Sequence, residues 1–401
     1  KQFLKKSFLI IVYNPLKHKD NRKMTKAIIL SGGWGTRLRP LTCTIPKTLI
    51  PIVNKPVIER QILLLKSAGV KEIVLAVSVM DDVIKNYFKE GENLGIKIHY
   101  TIEKHPKGTA GALKLAESYL KDDNFFMLNG DVILNYDMGE MLKFHKKNKG
   151  IGTIAGKTVE DPSRFGVLIT NQETYQLLEF LEKDEYLPPN GKIVPMPINA
   201  GVYLLEPEIF SFIEPNKKVS IEREVFPKVA REKKLFYFPI SGIWNDVGKP
   251  YDLLQANILL MNDLIKNLDA SVTNLVDYSA DIHPSSEIHP PCTIGENVVI
   301  HGKCKIGPNV IIGDNVLIEN NTELSNCLIY NEVYISNNVK IEKAIVADNC
   351  NIRENVVIKG NNENLVILAS YVEVLNNLEL IAPKTISLSV CHHEIVRESM
   401  K

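Results

Sequence analysis

A glycine-rich loop followed by several cations is the segment of this chain best suited to bind phosphate. Residues 30–42 read LSGGWGTRLRPLT, and Pro46 and Lys47 follow shortly after. Glycines let a ligand approach the backbone, whose N–H groups can then point at phosphate oxygens. Arg37, Arg39 and Lys47 add fixed positive charge beside those amides. The combination predicts a polyphosphate cradle, although three glycines alone would equally fit a structural turn.

The loop differs from the two commonest phosphate-binding patterns. The P-loop sequence GxxxxGK[ST] is absent, and Leu38 stands where a dinucleotide-binding fingerprint has its third glycine. The loop is therefore expected to bind a nucleotide in some other way than a P-loop or a dinucleotide-binding fold.

Two aspartates that are far apart in the sequence are candidates for holding a divalent cation. Asp131 ends the run FFMLNGD, which starts at Phe125, and Asp246 lies in the segment WNDVGKP. Mg²⁺ on a nucleotide typically takes one or two carboxylates and completes its shell with phosphate oxygens. Both residues also have structural alternatives, because Asn-Gly-Asp is a common turn and Asp246 could cap the helical segment after it.

The elements that position these residues follow from the hydrophobic pattern. Strand-like runs alternate with helical patterns from Met24 to about residue 145, which predicts a parallel sheet covered by helices. Ligands of such sheets bind beyond the carboxyl ends of the strands, where the glycine-rich loop and Asp131 lie. A helix is predicted at Pro56–Ser67, and short strands with turns are predicted over Gly152–Pro239. The strand candidates of the first part are Ala27–Leu30, Glu72–Val79, Lys97–Thr101 and Asn124–Leu128.

The last third of the chain carries a six-residue aliphatic repeat with two single-residue deletions. Such hexapeptides predict a left-handed parallel β-helix, here of roughly four coils, in which each aliphatic side chain points inward. No long loop interrupts the repeat, so we favour a role in self-association or regulation over acyl transfer by one of its histidines. The repeat positions are Ile288, Ile294, Ile300, Ile306, Ile312, Ile318, Leu324, Ile329, Ile335, Ile341, Val346, Ile352 and Ile358.

The amino-acid composition limits the classes of protein to which the chain can belong. The 401 residues are 45% hydrophobic and 24% charged, which is typical of a globular chain large enough for two domains. Lys and Arg number 48 against 47 Asp and Glu, so no global field would recruit nucleic acid or a membrane. The six cysteines form no Cys-x-x-Cys pair, which favours reduced thiols in a cytoplasmic protein. Residues 1–23 hold an apolar run too short for a signal peptide, and we interpret them as an extension before Met24.

The motif GGxGTRLxPLT with a following Pro-Lys resembles the signature of sugar-1-phosphate nucleotidylyltransferases. The segment LIPIVNKPV at residues 49–57 most resembles mannose-1-phosphate guanylyltransferases and their archaeal relatives. The resemblance implies an α/β fold, with a Rossmann-like mixed-sheet nucleotidyltransferase domain followed by the left-handed parallel β-helix. It implies attack of a sugar-1-phosphate oxygen on the α-phosphorus of a nucleoside triphosphate, with release of pyrophosphate and Mg²⁺ as the cofactor. GTP and mannose-1-phosphate, giving GDP-mannose, are the expected substrates.

The same resemblance implies roles for individual residues. Arg37 and the loop amides would stabilise the leaving pyrophosphate, Lys47 the α-phosphate and Lys183 the sugar phosphate, while Asp131 and Asp246 would hold Mg²⁺. The family usually has proline after this lysine, whereas this chain has Asp184, and a solvated Glu-Lys pair is the structural alternative there. The implied nucleotide-binding residues are Leu30, Gly32, Gly33, Gly35, Thr36, Arg37, Glu103, Gly108 and Thr109. The implied sugar-binding residues are Gly166, Glu182 and Asn199.

The resulting organisation is an extension at 1–23, a nucleotidyltransferase domain at 24–262, a linker at 263–281, the β-helix at 282–360 and a C-terminal segment at 361–401. Homo-oligomerisation through the β-helix is expected, and neither nucleic acid nor a membrane is an expected partner. Three functional alternatives stay open. The substrate could be glucose-1-phosphate with a uridine or thymidine triphosphate, the β-helix could add an acyltransferase activity, or the chain could be a non-catalytic regulatory homologue.

Overall fold

The computed structural model describes residues 26–103, 105–188 and 191–401. The predicted extension at 1–23 and Met24 lie outside the described residues, so the interpretation of that segment stays a prediction. No helix of the described ranges is long and apolar enough to cross a membrane.

The N-terminal domain is built around a nine-stranded mixed sheet, flanked by two short two-stranded sheets. Its strands are β1 (Lys26–Ser31), β2 (Pro51–Ile52), β3 (Lys55–Pro56), β4 (Glu72–Val77), β5 (Lys97–Ile102), β6 (Phe125–Asn129), β7 (Val132–Asn135), β8 (Gly152–Val159), β9 (Val167–Thr170), β10 (Leu177–Leu181), β11 (Met196–Leu205), β12 (Leu235–Pro239) and β13 (Ile243–Asp246). The large sheet has the order β10-β9-β11-β6-β1-β4-β5; β8 also pairs with β11, and β12 pairs with β8. Strands β5, β4, β1 and β6 are parallel and β11 joins β6 antiparallel, which confirms the predicted mixed sheet.

Helices cover both faces of this sheet, and the two apolar layers beneath them form separate cores. The predicted helix at 56–67 agrees with the observed first helix to within one residue. The helices are α1 (Val57–Ser67), α2 (Asp81–Phe88), α3 (Gly108–Leu115), α4 (Glu117–Leu120), α5 (Met138–Asn148), α6 (Phe226–Arg231) and α7 (Pro250–Lys266).

The C-terminal domain is a parallel β-helix, as the six-residue repeat predicts. An eleven-stranded and a seven-stranded sheet, both parallel, enclose a core of repeat-position side chains. Twelve of the thirteen repeat positions are buried to 1% exposure or less, and Ile288 is half-buried. The strands are β14 (Leu275–Val276), β15 (Asp281–Ile282), β16 (Glu287–Ile288), β17 (Cys292–Ile294), β18 (Val299–Ile300), β19 (Lys305–Ile306), β20 (Val310–Ile312), β21 (Leu317–Ile318), β22 (Glu323–Ile329), β23 (Tyr334–Ile335), β24 (Lys340–Val346), β25 (Asn351–Ile352), β26 (Val357–Lys359), β27 (Val366–Leu368), β28 (Glu373–Val374), β29 (Glu379–Ile381), β30 (Leu388–Val390) and β31 (Ile395–Val396).

The β-helix extends beyond residue 360, so the predicted end and the estimate of four coils are wrong. Register partners in the seven-stranded sheet are first 18 residues apart, as in Asp281 and Val299, then 17 apart, as in Leu317 and Tyr334. The last two spacings are 22, from Asn351 to Glu373 and on to Ile395. These longer coils break the six-residue period, and the sequence pattern therefore fades although the backbone continues to coil.

One face of the β-helix packs on the N-terminal domain. Ile311, Leu328, Ile345 and Ile367 are register neighbours that point outward from the coil, yet each is at most 2% exposed. They share a core with residues of helix α7 and of the segment after the glycine-rich loop. Each Å² of apolar surface that is buried contributes about 25 cal/mol of free energy, so these contacts stabilise the interface between the two domains.

Candidate active site

The glycine-rich loop leaves the carboxyl end of β1 and turns back toward Lys47. Gly35 has a left-handed backbone (φ 59°), and a Cβ there would lie 2.9 Å from Thr42 Cγ2 and 3.0 Å from Lys47 Cβ. The Thr42 hydroxyl donates to the Gly35 carbonyl oxygen at 2.8 Å, which holds the loop closed. A Cβ on Gly33 would meet nothing within 4 Å. Gly35 is therefore required by the loop itself, whereas the space beside Gly33 is open to a ligand.

Lys47 lies between the two candidate carboxylates. Strands β7 and β13 pair antiparallel so that Val132, the residue after Asp131, is the register partner of Asp246. This ladder brings the two aspartates together from distant parts of the sequence. Lys47 Nζ is 2.6 Å from Asp131 Oδ2 and 3.8 Å from Asp246 Oδ1, and the lysine side chain is 10% exposed.

The pKa of Asp246 is raised above its ordinary value. Burial, which removes water from the carboxylate, is the largest cause, and the negative charge of Asp131 adds to it. The positive charges of Lys47 and Arg37 act in the opposite direction. The two carboxylates are thus only partly neutralised by the cations of the chain.

Gly248 and Asp252 complete this corner of the site. A Cβ on Gly248 would lie 3.1 Å from Asp252 Oδ2, 3.4 Å from Arg37 Nη1 and 3.5 Å from Asp246 Oδ2. Arg164 Nη2 is 3.4 Å from the same Asp252 oxygen. No pattern in the sequence marks Asp252 as a site residue, because an acidic residue in the first turn of a helix is ordinary.

The donor set fits a hard divalent cation that is shared with a substrate. Two facing carboxylates offer the oxygen ligands that Mg²⁺ prefers, and their mutual repulsion favours a cation between them. No group of three or more His, Cys, Asp or Glu side chains that could hold a metal occurs among the described residues. The site is therefore suited to a cation whose remaining ligands come from phosphate oxygens and water.

Glu103 borders the glycine-rich loop at the end of β5. Its Oε2 would be 3.9 Å from a Cβ on Gly32, and the Ser78 hydroxyl, which donates to the Gly32 carbonyl at 2.9 Å, lies beside it. The other oxygen, Oε1, is buried without a hydrogen-bond partner among the described residues. Burial raises the pKa of Glu103, while the Lys107 backbone N–H and side-chain charge act to lower it. An unpaired buried acceptor is costly, so this atom is a candidate for contact with a ligand.

Gly108 and Thr109, two of the implied nucleotide-binding residues, have structural roles in this fold. Gly108 has φ 73°, and a Cβ there would lie 2.5 Å from the Val219 carbonyl oxygen. The Thr109 hydroxyl accepts from the Ile221 N–H at 2.8 Å and donates to Glu222 Oε2 at 2.6 Å. Both residues therefore join the start of α3 to the segment 219–222, and their contact with a base stays a prediction.

The three implied sugar-binding residues lie together. A Cβ on Gly166 would be 3.5 Å from Glu182 Oε1, and the Asn199 N–H donates to the Gly166 carbonyl at 2.8 Å. Trp244, two residues before Asp246, donates its indole N–H to the Ala200 carbonyl at 2.8 Å. This bond ties strand β11, which carries Asn199, to strand β13, which carries the metal-binding candidate Asp246.

Lys183 lies exposed in the turn after β10, next to Glu182. Asp184, which replaces the family's usual proline, pairs with Arg223 at 2.6 Å, and Arg223 also approaches Glu182 at 3.8 Å. The turn that carries Lys183 is therefore linked to Arg223 by an exposed ion pair. Burial and the charge of Glu222 raise the pKa of Glu182.

Glu222 is a residue that the sequence analysis missed. Its Oε2 accepts from the hydroxyls of Thr109 at 2.6 Å and Ser220 at 2.8 Å, and its Oε1 accepts from the Tyr203 hydroxyl at 3.3 Å. The Tyr203 oxygen accepts in turn from Asn199 Nδ2 at 2.9 Å. The chain of bonds connects helix α3, which carries two implied nucleotide-binding residues, to Asn199, an implied sugar-binding residue.

No signal in the sequence pointed to Glu222, since an isolated glutamate carries no pattern. It lies in a π-helical turn at Ile221–Val225, a rare conformation that is frequent at functional sites. Only the structure shows which side chains this turn faces.

We expect Glu222→Ala to destabilise the protein by about 2 kcal/mol, because three hydroxyl donors lose their charged acceptor. The exposed Glu224, which accepts from the Ser220 backbone N–H, provides the matched control Glu224→Ala. Thermal unfolding of both variants measures the difference. Equal melting temperatures for the two would contradict the prediction, because the Glu222 bonds would then contribute no more than the single bond of Glu224.

Comparison with known proteins agrees with this architecture. Residues 26–263 match the model of the nucleotidyl transferase family, and residues 288–400 match that of the GMPPB C-terminal domain. The mannose-1-phosphate guanyltransferase of Saccharomyces cerevisiae is 46% identical over 248 residues, which are 60% of this chain and 66% of the yeast protein. The mannose-1-phosphate guanyltransferase of Yarrowia lipolytica is 43% identical over 279 residues, 69% of this chain and 71% of that protein.

Solved structures share the fold of the N-terminal domain. A Bacillus anthracis protein in complex with a sucrose, provisionally described as a glucose-1-phosphate thymidylyltransferase, aligns with a TM-score of 0.53 and 27% identity over 59% of this chain and 94% of its own. HddC from Yersinia pseudotuberculosis aligns with a TM-score of 0.50 and 28% identity over 58% of this chain and 98% of its own. The chain therefore belongs to the nucleotidyl transferase family, and the resemblance to sugar-1-phosphate nucleotidylyltransferases is confirmed.

Proposed function

We propose that the chain transfers GMP from GTP to mannose-1-phosphate, giving GDP-mannose and pyrophosphate. The names of the yeast relatives support these substrates. The observation that carries the choice of base is the carboxylate of Glu103, whose Oε2 lies near Gly32 of the glycine-rich loop and whose Oε1 is buried without a hydrogen-bond partner among the described residues.

Guanine suits a carboxylate better than the other bases do. Its Watson–Crick edge presents two adjacent N–H donors, which can pair with the two oxygens of a carboxylate. Uracil and thymine present one N–H between two carbonyl oxygens, and these oxygens would repel a negative charge. Glu103 therefore favours GTP over the uridine and thymidine triphosphates, which are the substrates in the alternative hypothesis.

The residues of this chain bind and orient the reacting groups. The amides of Gly32, Gly33 and Gly35 and the guanidinium of Arg37 bind the phosphates that leave as pyrophosphate, and Lys47 binds the α-phosphate. Positioning and neutralisation of charge are the main requirements of phosphoryl transfer, because the phosphate oxygens carry the negative charge. Binding of phosphate would draw Lys47 Nζ away from its 2.6 Å contact with Asp131.

Asp131 and Asp246 would hold Mg²⁺, which neutralises and orients phosphate oxygens when bound. On the sugar side, the Glu182 carboxylate accepts hydrogen bonds from sugar hydroxyls, and the Asn199 amide donates to them. Lys183 neutralises the sugar phosphate. The sugar-phosphate oxygen attacks the α-phosphorus, the bond to the β-phosphate oxygen breaks, and the electron pair leaves with pyrophosphate.

Pyrophosphate release, measured with Mg²⁺ over a grid of nucleoside triphosphates and sugar-1-phosphates, tests this function. We expect the strongest rate with GTP and mannose-1-phosphate. If the highest rate occurs with UTP or dTTP and glucose-1-phosphate, these are the substrates instead. If no combination of substrates releases pyrophosphate, the chain is better explained as a regulatory homologue. Turnover of an acyl-CoA would reveal the acyltransferase alternative.

Glu103→Gln should shift base selectivity from GTP toward UTP. The amide keeps one acceptor but turns an N–H toward the second guanine donor, while it complements the N–H and carbonyl of uracil. We expect kcat/KM for GTP to fall roughly 10- to 100-fold relative to that for UTP, since bonds to a charged group are worth about 1.5–3 kcal/mol. Glu117→Gln, at a carboxylate paired with Lys114, is the control. An unchanged ratio of GTP to UTP would remove Glu103 from base recognition.

Self-association through the β-helix is supported by the outward-facing Val299, Leu317 and Tyr334, which stack in register and are only partly buried. Light scattering of the wild type measures it.

A cytoplasmic location is supported by the six cysteines, all of which are free.

A further inference from the structure

The last turn of the β-helix contacts the glycine-rich loop through one histidine. His392 lies between β30 and β31, and its Nε2 is 2.9 Å from the carbonyl oxygen of Pro40. A carbonyl oxygen only accepts, so Nε2 carries the hydrogen. The same oxygen also accepts from the Cys43 N–H at 3.1 Å, a bond that closes one of the loop's own turns. One carbonyl oxygen thus joins the loop to itself and to the other domain.

Apolar contacts support this bond from below. Leu38 and Leu41, on either side of Pro40, are at most 3% exposed and belong to the core shared between the domains. The outward-pointing register neighbours of the β-helix in that core end with Ile367. The register partner of Ile367 in the next coil is Ser389, which lies three residues before His392. The carboxyl half of the loop is therefore held by the β-helix.

The amino half of the loop has little such support. Gly32, Gly33, Trp34 and Arg37 are exposed, and Trp34 is 61% exposed. Gly32 is also held by β1 before it and by the Ser78 hydroxyl, which donates to its carbonyl at 2.9 Å, whereas residues 33–37 depend more on the anchored half that follows them. A loop that adopts its binding conformation for only part of the time binds its ligand more weakly by that same fraction.

We propose that His392 is a positioning residue, which holds the glycine-rich loop in the conformation that receives the triphosphate. This inference rests on the proposed function for the nature of the ligand. The β-helix domain then contributes to nucleotide affinity through a contact at the loop, in addition to any role in assembly.

The kinetic parameters separate positioning from general stability. A merely destabilised protein contains fewer active molecules, so its apparent kcat falls while both KM values stay the same. A displaced loop instead raises KM for the triphosphate and leaves KM for the sugar phosphate unchanged, because the sugar-side residues do not contact His392.

Two substitutions isolate the hydrogen bond. His392→Phe keeps an aromatic ring but removes the donor, and His392→Gln removes the ring but keeps an N–H donor. We expect His392→Phe to raise KM for GTP roughly 3- to 10-fold, as for loss of one hydrogen bond, and His392→Gln to stay near the wild type. Asn54→Gly is the matched control: it removes another bond between the domains, from Asn54 Nδ2 to the Ile312 carbonyl at 2.6 Å, and glycine tolerates its φ of 61°.

Calorimetric titration with GTP and Mg²⁺, without sugar phosphate, accompanies the kinetics. A wild type that binds no GTP would contradict the proposed function itself. A wild type that binds GTP, with His392→Phe equal to it in affinity and in KM, would overturn the positioning role. Equal losses in both His392 variants, or a similar loss in Asn54→Gly, would also overturn it, since the donor to Pro40 would not be the cause.

Discussion

We expect Lys47→Ala to lower kcat by roughly 100-fold or more, because preorganised charge is among the largest contributions to such reactions. Lys47 is 10% exposed and is the cation that lies between both metal-binding candidates, at 2.6 Å from Asp131 and 3.8 Å from Asp246. In the proposed reaction its removal would leave the α-phosphate without this charge, and it would leave the carboxylates of Asp131 and Asp246 without the cation between them. Steady-state assays of pyrophosphate release with saturating Mg²⁺ measure the effect.

A lysine in a surface ion pair provides the control for Lys47. Lys85 pairs with Asp81 one helical turn away at 2.6 Å, an arrangement worth a few tenths of a kcal/mol. Lys85→Ala removes the same charge from the chain and should leave kcat unchanged. Circular dichroism establishes that both variants fold. A folded Lys47→Ala protein with wild-type kcat would exclude Lys47 from the mechanism.

The second large effect is expected from Asp246→Asn, which should lower activity roughly 100-fold while raising stability in the absence of divalent cations. Burial and Asp131 raise the pKa of Asp246 in the folded protein. The folded state therefore holds the proton more tightly than the unfolded state does. The free energy of unfolding then falls as pH rises from the ordinary aspartate pKa through the raised one. Asparagine carries no charge and avoids this loss.

The measurement is the difference in melting temperature between Asp246→Asn and the wild type, from pH 4 to pH 8 without metal. We expect the difference to grow with pH in favour of the variant. Added Mg²⁺ should raise the melting temperature of the wild type more than that of the variant, because a ligand of the folded state stabilises it. The exposed Asp122 provides the control Asp122→Asn. A difference that is constant or reversed with pH would contradict the cause assigned to the raised pKa.

Local patterns carried much of the interpretation because they act over a few residues. The glycine-rich loop, the strand before Asp131 and the six-residue repeat each depend on spacing within one segment, and the structure has β1, β6 and the β-helix where these patterns lie. The predicted end of the β-helix at residue 360 was wrong, because the coils of 22 residues no longer follow the six-residue period. The parallel sheet then placed the loop and Asp131 at the same edge, because parallel strands end together.

The sequence by itself determined the class of fold and the family, and it predicted that the glycine-rich loop binds phosphate. Only the tertiary structure decided which distant side chains meet. The β7–β13 ladder sets Asp246 beside Asp131, the π-helical turn aims Glu222 at Thr109 and Tyr203, and the last coil brings His392 to Pro40. These contacts join residues that share no local period, so no spacing in the chain records them. They arise from sheet register and from burial of apolar faces between elements, which depend on the whole fold.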